Sequence, residues 1–256
     1  MKAMLYIKRI VLLLVCLQGA ACFAFAQEEA LKEAEAAYTQ EVYTKAIELY
    51  KEVLTTYGES AEVYYNLGNA YYRANKIAPA VLYYERALLM DPGDADIRFN
   101  LEMARQKTVD KIEPIGDFFL VKWFDSVQNM GAADSWARLS IVCFLLFIGC
   151  LLLFFFSRWT RIRKLGFYLG LLFFISVVVS NIFARNQKRE WVNHAHAIVF
   201  SPTVTVKSSP NQSGTDLFIL HEGTKVSIKS TLGEWREIEL EDGNIGWMPG
   251  KDIELI

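Results

Sequence analysis

Few residues in this sequence are arranged for catalysis. The three histidines are His194, His196 and His221. On a strand, His194 and His196 would point the same way and could share a metal ion, but no third ligand accompanies them. Read otherwise, the pair marks the polar start of a β-rich segment. G-x-S-x-G, G-x-x-x-x-G-K-[ST] and H-E-x-x-H are all absent. The four cysteines, Cys16, Cys22, Cys143 and Cys150, lie inside apolar runs, which disfavours a disulfide framework or a cysteine zinc site. The acidic residues between 27 and 112 read as a solvated helical face. No enzyme activity, cofactor or metal is therefore expected.

Recognition chemistry is better supplied. Tyr65, Asn69, Tyr72 and Arg73 follow an i, i+4, i+7, i+8 pattern and share one helical face. Tyrosine and arginine are frequent interface hot spots. The amide of Asn69 could bond an extended partner backbone as donor and as acceptor. Packing between helices is the alternative role for these tyrosines. Trp235 and Trp247 form a second candidate set, with the core of a small β-domain as their alternative place.

The first set sits in a helical repeat. Tyr64-x-x-Leu67-Gly68-x-x-Tyr71 is followed by Ala80-x-x-x-Tyr84, Ala87 and Pro92. This resembles the tetratricopeptide pattern, a helix-turn-helix unit of 34 residues. Gly68 and Ala80 stand where two helices would cross closely, and Pro92 would stop the second helix. One period earlier, Ala46, Tyr50, Ala34 and Gly58 repeat the pattern loosely; one period later, Asn100 and Leu101 continue it before it fades near Lys107. The prediction is one good repeat, one degenerate repeat and a capping helix. By resemblance to the family, the first helix of each repeat lines a concave groove that displays Tyr65, Asn69, Tyr72, Arg73, Phe99 and Met103.

The second set sits where the period changes from helical to two. "TVTVK", "TKVSIKS" and "EWREIEL" alternate apolar and polar residues between Gly/Asn/Asp/Ser/Pro clusters. Short strands at this spacing suggest a small β-barrel. Val206, Ser208, Pro210, Leu220, Gly223, Val226, Trp235, Gly243, Gly246, Trp247 and Ile253 give the segment a resemblance to bacterial SH3 domains. That resemblance implies a module that binds peptides or cell-wall fragments, or that only packs.

Between the two sets the chain is membrane-like. Of its 256 residues 53% are hydrophobic, above the usual ~45–50%, and the excess is concentrated near the N-terminus and between 139 and 183. A net charge of −2 gives no reason to expect a nucleic-acid partner. Residues 1–26 have Lys2, Lys8 and Arg9, an apolar core and an Ala24-Phe25-Ala26 site, the layout of a secretory signal peptide. An uncleaved anchor and a lipoprotein signal ending at Cys22 are alternatives; all three send the following chain across the membrane. Residues 139–156 and 165–183 are uncharged runs, each about 27–28 Å long as a helix, close to the ~30 Å of a bilayer core. The connector 157–164 holds Arg158, Arg161, Arg163 and Lys164, which places it on the cytoplasmic side. Arg185, Lys188 and Arg189 pull the other way, but less densely. Gly166-x-x-x-Gly170 suits close packing, within the hairpin or between copies. Residues 113–138 form an amphipathic linker whose Phe119, Leu120, Trp123, Phe124, Val127 and Met130 fall near one helical face. That face suits either the membrane interface or the underside of the repeats.

The expected fold class is a multidomain membrane protein: all-α tetratricopeptide repeats (27–112), a two-helix transmembrane hairpin, and a small all-β SH3-like barrel (184–256). The order of parts resembles the E-type proteins of the bacterial aerotolerance (Bat) operon. The resemblance implies von Willebrand A-type membrane partners and a MoxR-type ATPase complex. It favours a membrane-anchored extracytoplasmic scaffold at the bacterial cytoplasmic (inner) membrane, acting in aerotolerance or envelope stress. The alternative is a receptor whose SH3-like domain binds cell-wall peptides or peptidoglycan. For the topology, a reporter active only in the cytoplasm should work when fused near Arg161 and fail when fused after Lys107 or Asn186. Activity at either outer site would overturn the hairpin orientation.

Overall fold

The computed structural model describes residue 18 and residues 24–256, except 114, 117, 194 and 195. The expected export signal therefore lies largely outside the described residues, as does His194. From residue 24 onward, five helices come first among the described residues: α1 over 24–39, α2 (Tyr43–Tyr57), α3 (Ala61–Arg73), α4 (Ile77–Met90) and α5 (Ala95–Arg105). They form two helical hairpins and a closing helix. Glu41 and Asn75, one 34-residue period apart, both take positive φ, 61° and 59°. The same hydrogen bonds surround them: Glu41 N to Tyr38 O and Val42 N to Ala37 O in the first turn, Asn75 N to Tyr72 O and Lys76 N to Tyr71 O in the second. The degenerate first unit thus turns as the second does.

The second hairpin closes on Gly68. A Cβ built there would lie 2.7 Å from Cδ1 and Cε1 of the Tyr84 ring. Only glycine lets α3 and α4 approach with that ring between them. Leu67, Ala70, Ala80, Val81 and Tyr84 fill the surrounding core. Asp94 caps α5 by accepting from the backbone N–H groups of Asp96 (2.8 Å) and Ile97 (3.1 Å).

Helix α6 (Phe119–Gln128) then leads into α7 (Ala133–Phe156) and α8 (Thr160–Asn193). The last two are long and apolar enough to cross a membrane, and most of their apolar windows face outward. They pack as a hairpin. A Cβ on Gly166 would stand 3.0 Å from Cys150 O and one on Gly170 3.4 Å from Cys150 Cβ, so both glycines face α7 within the chain. Asn181 Nδ2 donates to Ser140 Oγ (2.6 Å) across the pair. Much of the expected connector is helical, since α8 starts at Thr160 and carries Arg161, Arg163 and Lys164 in its first turns.

Seven strands follow: β1 (His196–Val199), β2 (Thr203–Lys207), β3 (Asp216–His221), β4 (Lys225–Leu232), β5 (Trp235–Glu239), β6 (Ile245–Pro249) and β7 (Ile253–Leu255). They make one antiparallel sheet in the order β3-β2-β6-β5-β4-β1-β7. The ladder is open, with β3 and β7 at its edges, where the sequence suggested a closed barrel. Strand β1 is buried on both faces. Ala197 and Val199 join Val206, Ile238 and Met248 in the core of the sheet, while Ile198 joins the core of the repeats.

A Gly68→Ala substitution should overpack the α3–α4 crossing and cost about 1–3 kcal/mol. Thermal unfolding of the detergent-solubilised chain checks this. An unchanged melt would contradict the crossing geometry.

Candidate functional site

The four residues expected on one face of α3 are indeed neighbours, but they divide into three groups. Tyr65 and Asn69 belong to a polar cluster between α3, α4 and α5. Tyr84 donates its hydroxyl to Asn69 Oδ1 (2.7 Å), and Asn100 Nδ2 donates to the same oxygen (2.9 Å) and to the Tyr65 hydroxyl (2.9 Å). Burial pushes the Tyr84 phenol up from its ordinary value, so it stays a donor. The acceptor of Asn69 is thus used within the fold. Its amide Nδ2 has no partner among the described residues, so Asn69 can offer a ligand backbone a donor but not an acceptor.

Tyr72 forms the second group, with Lys107 Nζ 4.0 Å from its ring centroid. Arg73 is exposed and turns toward the first repeat. Its guanidinium lies 5.6 Å from the ring centroid of Tyr43, donates to the Tyr43 hydroxyl (3.0 and 3.2 Å) and stands 3.8 Å from Glu41. On α5, Phe99 is 65% exposed and Met103 39% exposed. They are the apolar part of this surface that no intramolecular contact covers fully. None of Asn100, Tyr43 and Lys107 was a binding candidate from the sequence; Asn100 was read only as a continuation of the repeat.

Trp235 and Trp247 lie elsewhere, on the sheet. Ile238 and Met248 point into its core, and pairing of Trp235 with Pro249 and of Trp247 with Glu237 puts both tryptophans on the opposite face. Lys207 pairs with Trp247 on the other side. Both rings are half-buried rather than core. Beside Trp235 is a shallow cavity of about 290 Å³ lined by Thr203, Thr205, Lys207, Asp216 and Pro249. The outward face therefore offers aromatic surface next to a Lys207–Asp216 ion pair of 2.6 Å.

The two described histidines have contacts of their own. His196 Nδ1 stands 3.1 Å from Ser227 Oγ, and burial lowers its pKa. His221 Nδ1 is 2.8 Å from Asp110 Oδ1. Among the described residues, no three His, Cys, Asp or Glu side chains converge as metal ligands would.

One junction holds the two surfaces together. Glu85 of α4, expected among solvated acids, is only 3% exposed. It pairs with Arg105 of α5 and, at 2.8 Å, with Lys225 of β4. Burial pushes its carboxyl up, but the two cations more than offset this and hold it below the usual carboxylate range. Beside it, Arg86 donates to Leu255 O (2.6 Å) on β7. Asp110 accepts from His221 N and Thr224 Oγ1, both 2.7 Å. Burial of Asp110 is likewise outweighed by these donors, and its carboxyl is also depressed.

Residues 61–94 match the tetratricopeptide repeat family. The matched segment runs from the start of α3 through α4 to the cap of α5, and so contains Tyr65, Asn69, Tyr72, Arg73 and Glu85. No curated protein matches the chain. The repeat is of a generally non-enzymatic kind and suggests a protein–protein interaction role.

The junction sets a pH dependence. Because the folded carboxyls of Glu85 and Asp110 are depressed, their contribution is complete above the ordinary carboxylate range, about 4. It is lost as pH falls through the folded values. Glu85→Gln should lower stability at neutral pH, by less than the ~3–5 kcal/mol of a fully buried pair, because Arg105 and Lys225 keep partial access to water. It should also flatten, though not abolish, the acid decline, since Asp110 remains. Denaturant unfolding of both chains across acidic and neutral pH measures the two effects.

Proposed function

We propose that this chain is a membrane-anchored extracytoplasmic scaffold that captures a protein partner on the α3–α5 face of its repeats. The observation that carries the reading is the coincidence, inside the matched family segment and its neighbouring helix, of an Asn69 Nδ2 donor without a partner among the described residues and of exposed Phe99 and Met103. A backbone-directed donor beside apolar contact area suits an extended or helical peptide. The hairpin α7–α8 is the anchor. Direct contact of the repeats with the sheet favours placing both on one side of the membrane. The cationic connector and the N-terminal signal pattern favour that side being extracytoplasmic. The seven strands, with Trp235 and Trp247 outward, are read as a variant of the SH3-like module. The order of parts supports a place beside the E-type aerotolerance proteins, with von Willebrand A-type membrane proteins and a MoxR-type ATPase complex as partners.

A second reading rests on the tryptophan face. Two aromatic rings beside Lys207 and a shallow cavity suit a cell-wall peptide or glycan, and the repeats would then respond to that binding.

Cross-linking in intact membranes, read by mass spectrometry, separates the two. Asn69→Asp keeps the acceptor that Tyr84 and Asn100 need while removing the free donor; combined with Phe99→Ala it should weaken partner capture by about 2 kcal/mol or more. Trp247→Ala should leave capture nearly intact and should lower co-sedimentation with purified cell wall only if the second reading holds. Normal capture by the folded double variant, with capture lost in Trp247→Ala, would transfer recognition to the sheet.

A further inference from the structure

Helix α6 has an apolar arc that the other described residues leave open. Phe119, Leu120 and Trp123 are 66%, 52% and 65% exposed, with Phe118 before them at 64%. At 100° per residue Phe119, Leu120 and Trp123 fall within one arc of about 100°, while Lys122 and Asp125 fall outside it and Ser126 borders it beside Phe119. The repeats do not cover this arc. They meet the turn after α6 instead, where a Cβ on Gly93 would lie 2.9 Å from Met130 O.

The adjoining flank of α6, Phe124 and Gln128, is fastened to the end of the hairpin. Phe124 meets Phe183 edge-on with centroids 5.1 Å apart, and Trp136 meets Phe183 at 4.9 Å. The Gln128 carbonyl accepts from Gln187 Nε2 and Trp136 Nε1, both 2.8 Å, and Gln128 Oε1 accepts from Asn186 (3.2 Å). Phe183 closes the uncharged run of α8, and the exposed cations Arg185, Lys188 and Arg189 follow within two turns. The level at which α6 is held is therefore the level at which apolar surface gives way to positive charge.

We propose that α6 lies in the headgroup–acyl boundary of the bilayer, on the side of the folded domains, with Phe119, Leu120 and Trp123 among the acyl chains and the three cations against anionic phosphates. This rests on the reading of α7 and α8 as membrane spans. Aromatic and basic residues at such a boundary are the side chains that partition there. The occupant of the arc is lipid, because Phe124, which borders the arc beside Leu120 and is itself exposed, seats the helix on the end of a hairpin whose apolar surface is mostly exposed. The three cations, opposed to the charge rule when counted as a topogenic signal, are accounted for as lipid contacts. Since Met130 abuts Gly93, the repeats are held directly above the lipid surface, and their partner must reach them there.

The test uses the full chain reconstituted in vesicles of phosphatidylethanolamine and phosphatidylglycerol, beside a Trp123→Phe variant. The difference between the two emission spectra isolates Trp123 from the other tryptophans. The expected result is a Trp123 component quenched by phospholipids brominated near the headgroup end of their chains and protected from iodide. The component being quenched by iodide and not by brominated lipid, in a chain that resists alkaline carbonate, overturns the proposal and leaves the spans standing. Protection from both quenchers means that protein covers the arc, which also overturns it. Release of the chain by carbonate removes the spanning reading and the proposal together. A nitroxide on Leu120→Cys, in a chain whose native cysteines are replaced, reads the same depth by an independent route.

Discussion

A carboxylate taken out of water must be met by cations, and Glu85 is met from two directions. Arg105 comes from the closing helix of the repeats and Lys225 from the sheet. Neither module alone satisfies the charge. Truncating any of the three leaves a poorly solvated ion, so the repeats and the sheet are bound by an electrostatic constraint as well as by apolar contact. The flanking bonds, Arg86 to Leu255 O and Asp110 to the backbone and hydroxyl of residues 221 and 224, run along the same seam. The candidate groove on α3 and α5 is built on these helices, and its geometry depends on the docking being kept.

The repeats were legible in the sequence because their chemistry is local. Gly68 and Ala80 are small where helices cross, and Tyr64, Leu67, Tyr71 and Tyr84 stand at the spacing of the repeat. The apolar helices were legible because continuous uncharged runs are rare in soluble folds. Strand β1 was not. Ala197, Ile198 and Val199 are all buried, two toward the sheet and one toward the repeats, so the segment lacks the alternation by which a strand with one wet face is found. Glu85 was equally hidden. On its own helix it resembles any surface acid, and only residues 20 and 140 positions away in the chain show otherwise.

The candidate site was partly legible for the same reason. Helical spacing placed Tyr65, Asn69, Tyr72 and Arg73 together without showing which of their polar atoms were already engaged. Asn69 loses its acceptor to Tyr84 and Asn100, and Arg73 is drawn aside to Tyr43, because both bonds join separate helices. On the sheet, the period-two pattern did place Trp235, Glu237 and Glu239 on one face. Whether that face was core or surface depended on strand pairing, which no single strand records.

The sharing of β1 between two cores has a consequence for how this chain can be divided or rearranged. Ile198 fills a socket in the repeats, and Ile256 closes the same cluster. A fragment cut after the repeats would present that socket to water as a sticky patch, and a sheet cut free would display an isoleucine with nowhere to go. The repeats are here committed to one companion. Exchange of this array for another of the same length would need a matching hole for Ile198. Cutting at the boundaries suggested by composition would therefore expose apolar surface on both pieces, so the repeats, hairpin and sheet are best expressed together.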